Sequence, residues 1–240
     1  MNPRLLDLGD GALTLEFGDR IDTALNARVM AARDALAALD LEGISDLVPT
    51  YRSLTVHFDP LQLDRETLGK ALLQVAASPD QASTAGTRWL IPVAFGGDFG
   101  PDLAQVAQTT GRRESDVIDA VCATELHVFL IGFLPGFPYL GELPEWLHLP
   151  RRTTPRTAVA ANSLAIAGPQ VAIYPWQSPG GWHLLGRTPV KLFDVADIGR
   201  PALLAPGDSV RFRAVERGEF DTLARDLETG RIGRESWVAP

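Results

Sequence analysis

A stretch rich in glycine and proline, residues 132–194, constrains the fold of this chain more than any other. It contains two turns built around aromatic residues, GFLPGFPYL at 132–140 and SPGGW at 178–182. Proline fixes the backbone and glycine permits sharp turns, so a long helix does not fit here. Many short strands joined by such corners are typical of a β-barrel. We therefore expect a closed or nearly closed barrel, with strands at 89–95, 127–133, 157–160, 164–167, 170–174, 182–185, 190–193 and 208–214.

The first 77 residues have a different sequence pattern, which predicts both helices and strands. Alternating apolar residues predict a strand over 12–17, and the sequence then indicates a helix from Asp22 or Thr23, strands at 44–49 and 53–58, and a second helix after Asp64. This β-α-β-β-α order fits a small ferredoxin-like α/β domain.

The two regions are separated by the segment SPDQASTAGT at about 78–87, whose small and polar residues are typical of a linker. We therefore predict an α+β protein with an N-terminal domain over 1–80 and a barrel domain over 88–240. The barrel domain should also hold helices after Pro101, near 114–122 and near 216–228.

Composition excludes several classes of function. The net charge is −8 and no basic block is present, which argues against nucleic acid or an anionic membrane as the main partner. The single cysteine, Cys122, excludes an internal disulfide, and four scattered histidines do not form a metal-binding spacing. No apolar run is long enough to span a membrane, and acids interrupt the N-terminus where a signal peptide needs apolar residues, so we expect a cytoplasmic protein.

No catalytic motif is present. The sequence lacks a Gly-x-Ser-x-Gly elbow, a His-Glu-x-x-His pair, a Walker loop and a Rossmann glycine pattern after a strand. The sequence therefore identifies no catalytic residue.

The strongest chemical signal is a set of arginines within the glycine- and proline-rich stretch of an acidic chain. Arg151, Arg152 and Arg156 lie in the segment PRRTTPR, and Arg187 follows later. Guanidinium groups bind carboxylate or phosphate through paired hydrogen bonds. The alternative is that each arginine pairs with a surface acid, because thirty acids are available. If the fold brings the arginines together, we expect a small-anion site whose other ligands are Gly180, Gly181, Ser178, Ser163, Gln170, Tyr139 and His183.

The same stretch carries a family resemblance. The motifs PGFPYL, PR…PR, AIAG, YP, SPGGW, GRTP and LFD follow one another in this order. In this the chain resembles the family of the 5-oxoprolinase B subunit, also known as the KipI or allophanate hydrolase subunit 1 family, with its carboxyltransferase domain C/D. The resemblance implies a small N-terminal α/β domain followed by a cyclophilin-like β-barrel.

The resemblance also implies an activity and partners. It implies ATP-dependent opening of 5-oxo-L-proline to L-glutamate together with a homologous C subunit (KipA-like) and a lactam-opening A subunit (LamB/YcsF-like). ATP with Mg²⁺ is expected to bind in that complex. One alternative is a KipI-type regulator that docks on a sensor histidine kinase through aromatic residues, for which the candidates are Phe137, Tyr139, Trp146 and Trp176. Another alternative is one subunit of a urea carboxylase or allophanate-type carboxyltransferase.

The chain departs from the family pattern at three positions. Val121 stands where a histidine is expected, Leu126 stands where a tyrosine is expected, and Asn162 lies in an Ala-Ala-Asn-Ser run where Pro-Ala-Gly-Ser is expected. These departures bear on catalysis and leave the expected fold unchanged.

Overall fold

The computed structural model describes residues 3–77 and 86–239, which divide into two compact units, one on each side of the gap. Most of the predicted linker, 78–87, lies outside the described residues. The predicted α+β class is confirmed, because the first unit is a sheet with two helices and the second contains a closed barrel.

The elements of the first unit are β1 (Arg4–Asp7), β2 (Ala12–Glu16), α1 (Thr23–Ala37), β3 (Ile44–Pro49), β4 (Ser53–Phe58) and α2 (Arg65–Ala77). The strands form one antiparallel sheet in the order β1-β2-β4-β3. The order β2-α1-β3-β4-α2 is that of a ferredoxin-like unit. The edge strand β1, which pairs with β2, comes from the N-terminus, where the sequence pattern predicted no strand.

Local sequence explains the helices of this unit. Asp22 caps α1, and its side chain accepts hydrogen bonds from the amides of Ala24 and Leu25. Asp64 accepts in the same way from Thr67 at the start of α2. The apolar faces of the helices pack against alternate residues of the sheet. The helices contribute Val29, Leu36, Leu68 and Leu72 to this core, and the sheet contributes Leu13, Leu15, Leu54 and Val56.

The elements of residues 86–239 are β5 (Arg88–Phe95), α3 (Leu103–Thr110), α4 (Glu114–Ala123), β6 (Leu126–Ile131), β7 (Pro138–Gly141), β8 (Arg156–Val159), β9 (Ser163–Ala167), β10 (Gln170–Tyr174), β11 (Ser178–Gly180), β12 (His183–Arg187), β13 (Ser209–Ala214) and α5 (Arg217–Glu228). Seven of these strands close into a barrel in the order β10-β7-β6-β13-β5-β12-β9, and β8 and β11 form a separate two-stranded ribbon. The predicted barrel is confirmed. Among the described helices of the chain, none is long and apolar enough to cross a membrane.

Strands β9 and β10 are buried on both faces. Leu164, Ile166, Val171 and Ile173 belong to the main barrel core. The residues that alternate with them, Ala165, Ala167, Ala172 and Tyr174, point to the other face and belong to a second apolar cluster. This cluster also contains Phe137, Val159, Trp182 and Leu184. The second cluster therefore covers part of the barrel wall and forms the floor of the site described below.

In this unit one strand prediction was wrong and two strands were missed. Residues 190–193 form no strand, although Val190 and Leu192 are buried in the core and Phe193 makes an isolated bridge to Ala202. Their apolar character reflects burial and not strand pairing. Strands β7 and β11 were missed because both lie inside the glycine- and proline-rich turns, where the pattern favoured loops.

Candidate functional site

A buried carboxylate, Asp102, binds two of the predicted arginines. Its side chain is 6% exposed, and its Oδ1 atom accepts hydrogen bonds from Nη1 of Arg152 at 3.0 Å and from Nη2 of Arg156 at 2.7 Å. Its Oδ2 atom accepts from the Leu184 amide at 2.8 Å. Arg152 and Arg156 therefore do pair with an acid, as the alternative proposed, although this acid is buried and not at the surface.

The charge of Asp102 is stabilised by these partners. Burial by itself raises the pKa of this carboxyl, but the hydrogen bonds from Arg156 and the Leu184 amide and the charges of Arg156 and Arg152 outweigh burial, so the pKa lies below its ordinary value. The cluster anchors the segment 150–156 to the start of α3 and to β12.

Beside this cluster lies a small cavity of about 200 Å³ with aromatic walls. We call it the aromatic cavity; it is lined by Phe133, Phe137, Tyr139, Arg151, Arg152, Pro155, Tyr174, Pro179, Gly180, Gly181 and Trp182. Its rings pack edge to face, and Phe137 and Tyr174 lie 5.1 Å apart at 90°. Gly180 is needed here because a Cβ at this position would lie 2.4 Å from the Tyr174 hydroxyl oxygen.

Arg151 is the exposed cation of this cavity. Its guanidinium carbon lies 5.7 Å from the centroid of the Trp182 ring, a distance typical of a cation–π contact. Within residues 3–77 and 86–239 it has no salt bridge and no side-chain hydrogen bond, in contrast to Arg152 and Arg156. Its donors are therefore available to an anion.

Two tyrosines in the cavity remain neutral at ordinary pH. Burial raises the pKa of Tyr139 and of Tyr174, and the nearby charge of Arg151 opposes this effect only in part. A neutral tyrosine hydroxyl carries a proton that it can donate to a ligand. The cavity thus combines a cation, a neutral hydroxyl donor and apolar walls.

A second cavity of about 350 Å³ is also lined by the segment 150–154. Arg151 and Arg152 line both cavities; the second is completed by Gln105, Val106, Thr109, Leu149, Pro150, Thr153, Thr154 and His183. Nε2 of His183 lies 2.9 Å from the Pro150 carbonyl oxygen. Because a carbonyl only accepts, Nε2 carries the proton and donates it.

The predicted binding residues are only partly brought together. Arg151, Tyr139, Gly180 and Gly181 line the aromatic cavity, and His183 lines its neighbour. Arg156 binds Asp102, and the buried Ser178 hydroxyl donates to the Pro179 carbonyl at 3.2 Å.

Like Arg156 and Ser178, three further predicted residues line neither cavity. Arg187 is four residues from His183, about 13 Å along β12, and it donates from Nε to the Ala161 carbonyl. Ser163 pairs with Arg187 across the sheet and donates to the Ala160 carbonyl. Gln170 is the first residue of β10, and Tyr174, which lines the aromatic cavity, is the last. Binding by any of the predicted residues stays a prediction.

Several residues of the site were not singled out from sequence. Asp102 was interpreted only as an acid in the first turn of a helix. Tyr174 and Trp182 were noted only within the motifs YP and SPGGW, and Phe133 was not noted as an exposed aromatic residue. Of the predicted docking aromatics, Phe137 is buried, Tyr139 and Trp146 are half-buried, and Trp176 alone is exposed, at 38%.

The departures from the family pattern do not line the two cavities. Val121 and Leu126 are fully buried in the barrel core, where apolar side chains fit. Asn162 has a φ of 64° and lines a different cavity of about 650 Å³. None of the three lines the aromatic cavity or its neighbour.

Comparisons with known proteins agree with the resemblance. Residues 3–204 match the model of the carboxyltransferase domain, subdomain C and D. The 5-oxoprolinase B subunit of Escherichia coli O157:H7 is 40% identical over 213 residues, which cover 88% of this chain and 95% of the relative. The chain belongs to the 5-oxoprolinase B-subunit family. The relative of the same name from Bacillus subtilis (strain 168) is 34% identical over 224 residues, which cover 89% of this chain and 93% of the relative.

A solved structure outside these relatives has the same fold. The urea carboxylase of Kluyveromyces lactis superposes with a TM-score of 0.80 at 22% identity, over 96% of this chain and 23% of that one. At this identity the match establishes the fold and carries no information on the reaction. The 5-oxoprolinase B-subunit family therefore shares its architecture with a part of a larger carboxylase.

Proposed function

We propose that this chain is the B subunit of an ATP-dependent 5-oxoprolinase, which converts 5-oxo-L-proline to L-glutamate. The relatives named as B subunits of 5-oxoprolinase cover nearly the whole chain, and that name implies an enzyme built from several chains. Within this chain, the observation that carries the proposal is Arg151, a cation without an acidic partner among the described residues, at a small aromatic cavity.

The chemistry of the cavity suits this substrate. 5-Oxo-L-proline is a compact five-membered lactam with one carboxylate. Its ring carbons match the aromatic walls, its carboxylate matches Arg151, and its lactam oxygen matches a neutral tyrosine hydroxyl such as that of Tyr174. A volume of about 200 Å³ accommodates a molecule of this size.

In this proposal the residues of the chain bind and orient the lactam. Arg151 holds the carboxylate, the Tyr174 hydroxyl donates to the lactam oxygen, and the surrounding rings exclude water. When bound, ATP supplies a phosphoryl group that turns the lactam oxygen into a leaving group. A lactam needs such activation because its carbonyl is a poor electrophile.

The aromatic cavity is large enough for one small anionic molecule and too small for a whole nucleotide. Its volume lies below the range of about 300–1,000 Å³ that is usual for small-molecule sites. The described part of the chain contains no group of three or more histidine, cysteine or acidic side chains placed to hold a metal ion. We therefore propose that ATP with Mg²⁺ binds in the assembled complex.

The other chains of the enzyme are proposed to complete the site. Among the residues that the structure describes, no carboxylate and no histidine lines the aromatic cavity, and in this proposal a general base for lactam opening comes from another chain. We propose a homologous C subunit (KipA-like) and a lactam-opening A subunit (LamB/YcsF-like) as these partners. A cytoplasmic location stays a prediction.

Reconstitution tests the proposal. The full chain is mixed with the A and C subunits from the same source, and ADP release and glutamate formation are followed with and without 5-oxo-L-proline. We expect both products only when all three proteins and 5-oxo-L-proline are present. A stable three-protein complex that forms neither product would overturn the proposal and favour a regulator of the kinase-inhibitor type.

A further inference from the structure

Phe133 carries a large side chain at a backbone position that disfavours one. Its φ is 68°, in the left-handed region where a bulky residue is an outlier. The Leu134 amide donates to the Gly132 carbonyl oxygen at 2.8 Å, so Phe133 is the central residue of a γ-turn with positive φ, which is rare and strained. Glycine would adopt this turn without strain. The aromatic ring is therefore kept at a cost in stability.

Burial does not offset this cost. The Phe133 side chain is 64% exposed. Its aromatic contact in the described structure is an edge-on approach to Phe137, with ring centroids 5.3 Å apart at 82°. Phe137 is itself 2% exposed and also contacts Tyr139, Tyr174 and Trp182. The second apolar cluster does not depend on Phe133 for its packing.

The loop fixes the position of the ring. The Gly132 amide donates to the Phe137 carbonyl oxygen, and the Phe137 amide donates to the Leu134 carbonyl oxygen, both at 3.0 Å. Gly136 has a φ of 78°, and a Cβ there would lie 2.7 Å from Cβ of Phe193. With both ends of the turn held, the Phe133 ring is presented at the aromatic cavity, which it lines together with Arg151.

We propose that Phe133 determines the specificity of the aromatic cavity by selecting ligands that carry a compact apolar ring next to an anionic group. The inference rests on the proposed function, in which this cavity is the substrate site. A carboxylate held by Arg151 leaves the rest of a small ligand among the aromatic walls. A ligand ring that contacts Phe133 removes apolar surface of both partners from water. An anion without a ring has no such contact.

The test uses two probes that share a carboxylate, cyclopentanecarboxylate and acetate. Their affinities for the full chain are measured by NMR titration for the wild type, Phe133→Gly and Phe133→Leu, and for Ile198→Ala as a control at a residue 92% exposed and outside the cavity lining. We expect the glycine variant to bind cyclopentanecarboxylate several-fold more weakly and acetate as the wild type does. The leucine variant should bind cyclopentanecarboxylate with an affinity between those of the wild type and the glycine variant. The control should bind both probes as the wild type does.

Urea unfolding of the same variants separates this role from a structural one. We expect the free energy of unfolding of Phe133→Gly to equal or exceed that of the wild type, because the strain is relieved. A clear decrease would overturn the inference, as would an equal loss of affinity for both probes, an unchanged affinity for cyclopentanecarboxylate, or a wild-type chain that binds neither probe.

Turnover by the reconstituted enzyme distinguishes the inference from the proposed function. If the wild-type complex does not use 5-oxo-L-proline, the proposed function fails, and the two probes still decide the role of Phe133. If it does, Phe133→Gly should raise KM several-fold with a small change in kcat and with the complex intact. Loss of the complex with unchanged probe binding would identify the ring as a contact between chains and overturn the inference.

Discussion

Oδ1 of Asp102 lies 2.7 Å from Nη2 of Arg156, although 54 positions separate the two residues in the chain. The same oxygen accepts from Arg152, and the other oxygen accepts from the Leu184 amide. Removing a buried carboxylate leaves both arginines and this amide without their partner. Breaking a buried ion pair in this way typically costs about 3–5 kcal/mol.

Asp102→Ala should therefore lower the free energy of unfolding by about 3–5 kcal/mol, measured by urea denaturation. Asp98→Ala is the matched control, because Asp98 also pairs with an arginine, Arg217, but its side chain is 91% exposed. An exposed pair contributes about 0–1 kcal/mol. Similar losses for the two variants would contradict the structural role given to Asp102.

The stabilisation by Asp102 should depend on pH. Its pKa is depressed in the folded state, so its contribution is fully present above the unfolded-state value of about 3.9 and is lost as the pH falls through the folded-state pKa. The difference in unfolding free energy between the wild type and Asp102→Asn should be large at pH 6 and shrink below about pH 4. A difference that stays constant over this range would show that the charge of Asp102 contributes nothing.

Much of the fold could be predicted from local patterns. Strands 44–49, 53–58 and 170–174 have the predicted bounds because turn residues flank alternating or continuous apolar runs. Strand β1 was missed because it is an edge strand with mostly exposed residues and therefore lacks this alternation. Residues 190–193 were wrongly predicted as a strand because burial in a loop gives the same apolar signal as burial in a sheet.

The site was less predictable because it depends on contacts between distant segments. Arg151 and Arg152 are neighbours in sequence, yet Arg152 binds Asp102 while Arg151 stacks on Trp182. Nothing in the segment PRRTTPR says which arginine meets the buried acid. Arg187 carries the same chemistry as Arg151, but the direction of β12 places it at the end of that strand away from His183. These assignments require the register of the barrel.

Arg151→Gln should weaken binding of 5-oxo-L-proline or of a small carboxylate about tenfold or more, since a hydrogen bond to a charged group contributes about 1.5–3 kcal/mol. Arg112→Gln is the control: Arg112 stacks on Trp146 at 5.2 Å, as Arg151 stacks on Trp182, but lines neither cavity. Isothermal titration with the full chain measures both. Equal affinities for wild type and Arg151→Gln would remove Arg151 from the site.

Alanine substitutions at the adjacent residues Gly180 and Gly181 should have different effects. A Cβ on Gly180 would lie 2.4 Å from the Tyr174 hydroxyl oxygen, whereas a Cβ on Gly181 would meet its nearest neighbour, Pro155, at an ordinary 3.6 Å. Gly180→Ala must therefore displace the Tyr174 ring or the β8–β11 ribbon, and an overpacked core typically loses about 1–3 kcal/mol.

We expect Gly180→Ala to lower the free energy of unfolding by this amount, about 1–3 kcal/mol, and to abolish ligand binding in the aromatic cavity. Gly181→Ala should leave both properties close to those of the wild type. Urea denaturation and ligand titration of the two variants provide the comparison. If Gly181→Ala proved as damaging as Gly180→Ala, the backbone freedom of the turn would matter more than the space beside Tyr174. If neither had an effect, the packing of Tyr174 against Gly180, and with it the shape of the cavity, would be wrong.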